Sequence, residues 1–242
     1  MEMGLAGRVN QGWRPQLTPW EKRVGWCFFA LYLFVFPFLV GGVLRLLDER
    51  LALELTLAQT NSIYYAIVLL LLIAVFWDFL RHAGHILRDN LRPSLFVFGI
   101  GLLVGLAGTC LMGAIPVGVV NPVVEDYRGQ HYMAAAATWA VVVFLRPAVE
   151  EILYRGLLFG SLRKKSRVLA YALSAGLFAL GSVWQHVADP ELGPAALLLA
   201  LTYLPLGLVT CWSYDVSGSV YTPMALRMAL QAAFLIFAVV AG

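Results

Sequence analysis

Residues 140–160 read AVVVFLRPAVEEILYRGLLFG. An apolar run meets Arg146, Pro147, Glu150, Glu151 and Arg155 and then resumes as if uninterrupted. On a helix Arg146 and Glu150 stand four residues apart, as do Glu151 and Arg155, the spacing at which opposite charges meet. The adjacent carboxylates project about 100° apart, so one can face a cavity while an arginine holds the other. Pro147 removes a backbone donor just before the acids. Ionisable groups at membrane depth are costly and so are functional candidates by default, and a buried pair of carboxylates suits a general base. A charged helix end at the cytoplasmic interface would carry the same residues, and spacing alone leaves both readings open.

The rest of the chain sets the medium. Among 242 residues 61% are hydrophobic and only 13% charged, and mean hydropathy is +0.80. A soluble domain carries about 25% charged residues. Disorder is excluded, because it needs low hydrophobicity. A formal net charge of +3 with no basic, aromatic-interleaved stretch excludes nucleic acid as a partner. Cys27, Cys110 and Cys211 are scattered through apolar segments and form no disulfide framework. The expectation is an all-α polytopic transmembrane bundle of about seven helices. The apolar segments fall near 24–44, 62–80, 95–116, 132 to beyond 145, 168–187, 195–212 and 220–240. Domain boundaries are expected at 1–23 for a cytoplasmic or interfacial tail, 24–131 for N-terminal transmembrane helices and 132–242 for the core helices.

Basic residues orient the bundle. Arg8, Arg14, Lys22 and Arg23, then Arg81, Arg88 and Arg92, then Arg155, Arg163, Lys164, Lys165 and Arg167 fall on one side, against Arg45, Arg50 and Arg128 on the other. The N-terminus is therefore expected in the cytoplasm, and the protein in the plasma membrane. The connection 213–219 has no basic residue although this scheme places it inside, so six or eight spans stay open. Tyr214 and Asp215 there suit a turn and helix cap.

The string Val149-Glu150-Glu151-Ile152-Leu153-Tyr154-Arg155-Gly156 matches EExxxR followed by glycine. It resembles the first motif of the CPBP family, the CAAX-processing and bacteriocin-processing intramembrane endopeptidases, also called Abi. The basic segment 163–167 and the following Val168-Leu169-Ala170-Tyr171 resemble the loop after that motif, and the likeness runs over about 136–237. The resemblance implies a CPBP-type core in the C-terminal half. It also implies hydrolysis of a peptide bond in a membrane-associated, prenylated or leader-bearing protein, with Glu150 activating water and Glu151 and Arg155 holding the motif helix. The family's later motifs, FxxxH and HxxxN or HxxxD, are altered. Ser182 stands in the histidine position after Phe178, Arg227 replaces the third-motif histidine, and Gln231 replaces the final asparagine.

A rise of about 1.5 Å per residue puts Ser182, Arg227 and the two glutamates at similar depth, with His186 about 6 Å further, near the outer interface beside Trp184. A mid-membrane arginine needs an anion, and Glu150 or Glu151 is the nearest. Pairing makes that glutamate a weaker base and repels a divalent cation, although arginine also donates to an oxyanion. The expected site is Glu150, Glu151, Arg155, Ser182, Arg227 and Gln231. No cofactor is expected, and two missing histidines disfavour a metal such as zinc. The expected partners are the lipid bilayer and a peptide or membrane protein. A non-catalytic scaffold or regulator with the same fold is the alternative, and a small transporter gated by Glu150 and Arg227 a third reading. His82 and His85 read as interfacial rather than as metal ligands, His131 has no ligand spacing, and Asp78 suits a cap or a pair with Arg81.

Overall fold

The computed structural model describes residues 16–52, 54–113, 134–187 and 193–240. Among these every regular element is helical: α1 Pro19–Phe34, α2 Phe36–Leu51, α3 Leu57–Val75, α4 Trp77–Asp89, α5 Leu91–Gly113, the composite α6 over 135–163, α7 Arg167–Val187, α8 Gly193–Thr202, α9 Leu204–Ser217 and α10 Tyr221–Val240. The chain is an all-α membrane protein. Leu57–Val75, Leu91–Met112 and Leu197–Ser217 are long and apolar enough to cross a bilayer by themselves, and Arg167–Val183 and Tyr221–Phe237 are shorter apolar helices.

Three expected spans carry breaks that apolarity alone did not show. The segment 24–44 turns at Val35, because Pro37 has no N–H to continue the ladder. The segment 62–80 ends at Val75, and α4 follows as a separate amphipathic helix. Phe79, Leu80 and Ala83 face inward there, while His82, His85 and Arg88 face outward. Asp78 lies in its first turn, where the helix dipole favours an acid. The sixth segment breaks at Tyr203, just before Pro205, and its helix continues to Ser217. Tyr214 and Asp215 are thus in the last turns of α9 and not at the start of α10.

Asp215 instead binds the basic loop. Its carboxylate accepts from Arg163 Nε at 2.6 Å and pairs with Arg167 at 2.9 Å, and Tyr171 donates to it at 3.2 Å. The α9–α10 turn therefore lies on the same side as the α6–α7 loop, and needs no basic residue of its own. Gln16 donates to Gly218 O at 2.6 Å and Ser219 to Ala83 O at 2.9 Å, so the start of the described chain and α4 lie on that side too.

One continuous hydrophobic cluster runs from Phe28 and Leu72 through Leu153 and Phe178 to Leu230. At its centre α10 lies against α5. Gly101 and Gly105 face Leu226 and Leu230, and a Cβ on either glycine would sit 2.7 Å from a leucine methyl. Small residues at this spacing let helices approach in lipid, which sets the depth of neighbouring Arg227. Glu21 ties the front of the bundle together. It closes a capping box with Thr18, and its other oxygen accepts from Phe79 N at 2.8 Å, satisfying a free donor of α4.

Candidate functional site

The acids sit on the short α-helical stretch Arg146–Glu151 of α6, between two π-helical stretches, Ala140–Leu145 and Ile152–Phe159. π-turns are rare and mark sites where a helix re-aims its side chains. The widened turn frees carbonyls, and α7 satisfies one of them: Ser174 donates to Tyr154 O at 2.8 Å. Pro147 falls in the first turn of the α-helical stretch, so its missing donor begins the switch in register.

Both carboxylates are held, in place of one held and one facing a cavity. Glu150 Oε1 accepts from Arg146 Nε at 2.7 Å, and Oε2 pairs directly with Arg227. Glu151 Oε1 lies 3.2 Å from Arg155 and 3.4 Å from Arg227. Glu150, Glu151, Arg155 and Arg227 are all buried. Three guanidiniums against two carboxylates leave one net positive charge in the cluster.

Arg155 is also fixed by α9, where its guanidinium donates to Gly207 O at 3.1 Å and to the Thr210 hydroxyl. Gly207 also lets α9 pack closely on α7, since a Cβ there would lie 3.1 Å from Ala175. The Phe178 ring of α7 meets both arginines, its centre 4.6 Å from the Arg155 guanidinium and 4.5 Å from that of Arg227. Cation–π contact and the carboxylates together compensate arginines removed from water.

The cluster does not gather every expected residue. Ser182 is buried, but its hydroxyl donates 2.9 Å to Phe178 O on its own helix. Gln231 is half-buried, one turn past Arg227 and outside these contacts. The side chain of His186 and the whole of His131 lie outside the described residues. His82 and His85 are exposed on α4. Among the described residues no three His, Cys, Asp or Glu side chains are placed to share a metal ion.

Sequence reading missed Thr210 as an acceptor for Arg155 and the contact of Phe178 with both guanidiniums. Neither residue gives a separate signal in an apolar run until its helix is placed.

No curated protein matches the chain, and no solved structure does. Residues 132–233 match the family described as type II CAAX prenyl endopeptidase Rce1-like. The match spans α6 to α10 and contains every residue of the acid–arginine cluster. The match covers residues 132–233 of the 242, so it is the C-terminal part of the chain that is similar to the CPBP/CAAX protease family.

Proposed function

We propose that this chain is a non-hydrolytic member of its family, an intramembrane scaffold that holds a membrane-associated, prenylated or leader-bearing protein segment without cutting it. One observation carries the reading: each oxygen of Glu150 is engaged by a different guanidinium, Arg146 on one and Arg227 on the other. Each oxygen keeps a second lone pair, but a carboxylate flanked by two guanidiniums is a weaker base toward water. Here the family's water-activating position is an ion-pair centre. Ser182, bonded to its own helix, and Arg227, bonded to the acids, stand where the motif histidines would be. The donor set does not fit a divalent metal, because the carboxylates are already neutralised and the surplus charge is positive. The proposal sets the protein in the plasma membrane with its N-terminus in the cytoplasm.

Endopeptidase activity is the second reading, and Glu151 favours it. Its Oε2 is buried with no hydrogen-bond partner, as is Arg227 Nε. Glu151 would be the base, and Arg227 would donate to the oxyanion.

Purified protein in lipid nanodiscs separates the two when offered prenylated CAAX-type peptides and leader peptides bearing a photo-cross-linker. Saturable cross-linking without product supports the scaffold. Product that disappears with Glu150→Ala or Glu151→Gln overturns it.

A further inference from the structure

The lipid-facing seam between α5 and α9 holds a groove of about 460 Å³, away from the acid–arginine cluster. Ile100, Val104 and Gly108 form one wall, and Pro205, Leu208 and Trp212 the other. Helix α9 separates the two regions: Gly207 and Thr210 face Arg155, while Pro205, Leu208 and Trp212 face the groove. The groove lies between two stretches that are each long and apolar enough to cross a bilayer, where acyl chains rather than water would meet it. Its walls run about 10 Å along the helix axes, from Trp212 down to Pro205.

One end of this groove is polar. Tyr171 lines it, and the Arg167 guanidinium lies 5.8 Å from the Tyr171 ring centre. Arg163 and Arg167 both pair with Asp215, which Tyr171 also meets, and Lys164 and Lys165 stand between the two arginines in the loop. Four basic residues against one carboxylate leave three positive charges on this loop. Lys164, Lys165 and Arg167 are exposed. An apolar slot ending beneath a basic rim has the chemistry of an anionic-phospholipid site.

The geometry points to a bound anionic glycerophospholipid. One acyl chain lies along Val104, Gly108 and Leu208, and its phosphate meets Lys164, Lys165 and Arg167. The occupant is a membrane lipid because the slot opens sideways into the bilayer and the rim is cationic.

The test uses full-length protein in nanodiscs of phosphatidylcholine with graded phosphatidylglycerol, followed by native mass spectrometry of the lipids it retains. Wild type should retain one phosphatidylglycerol in preference to phosphatidylcholine. Lys164→Gln and Lys165→Gln should each weaken that preference about fivefold. Val104→Trp, at a position 54% exposed and clear of the core, should fill the slot and remove the retained lipid of either kind. No headgroup preference in wild type, or full retention in folded Val104→Trp, overturns the assignment. If Val104→Trp does not fold, an unchanged headgroup preference in the two exposed lysine variants overturns it as well.

Discussion

Arg227 and Glu150 stand 77 positions apart in sequence and form a direct ion pair in the buried interior of the bundle. The pair joins α10 to the middle of α6, and Arg146 completes it from the other side of the same carboxylate. Helix α10 therefore cannot slide or tilt without separating charges in a region where isolated ions are costly. The functional reading follows from this contact, since the residue that would replace a catalytic histidine closes the acid instead.

Arg155 depends on α9, and its two kinds of partner contribute unequally. Thr210→Val keeps the shape but removes an acceptor, and should lower stability by about 1–2 kcal/mol. Arg155→Ala leaves Glu151 with a weakened set of counter-charges and should cost about 3–5 kcal/mol. Unfolding titrations in mixed micelles would rank the two, and equal losses would contradict this division.

The α5–α10 contact is set by glycine. Gly105→Ala places a methyl against Leu230 and should destabilise by about 1–3 kcal/mol through overpacking. Adding Leu230→Ala should recover part of that loss, giving a double variant at least about 0.5 kcal/mol more stable than additivity predicts. Strict additivity of the two substitutions would mean that the helices do not meet there.

Asp215 clasps a loop that reaches solvent, so its contribution is smaller. Asp215→Asn should cost about 1–2 kcal/mol, and added salt should reduce the difference from wild type. It should also speed proteolysis between Arg163 and Arg167. An unaltered cleavage rate would remove the clasp from the account.

Sidedness has its own check. In a cysteine-free background, single cysteines at Lys164, Asn90 and Val216 should react with an impermeant maleimide from one side of the membrane, and one at Thr56 from the other. Lys164 and Val216 labelling from opposite sides would contradict the path of α7 to α9.

Much of this was legible from simple physical rules. The i,i+4 spacing marks Arg146 with Glu150 and Glu151 with Arg155, and both contacts occur. The cost of an unpaired arginine in lipid points Arg227 toward the acids, and it meets both. Depth along a helix says nothing of a side chain's rotation, and the Ser182 hydroxyl turns to its own backbone. The π-turns around Arg146–Glu151 leave no mark in hydropathy, which averages over the register they change. Asp215 was read as a cap because helix ends are set by tertiary contacts, here two arginines and a tyrosine from α6 and α7.

The most direct measurement is a double-mutant cycle on the central pair, Glu150→Gln and Arg227→Met, read by unfolding titration in mixed micelles. The account predicts a coupling of about 2 kcal/mol, with the double variant less destabilised than the two single losses summed. Additivity within about 0.5 kcal/mol would contradict it, because Arg227 would then not be what closes Glu150.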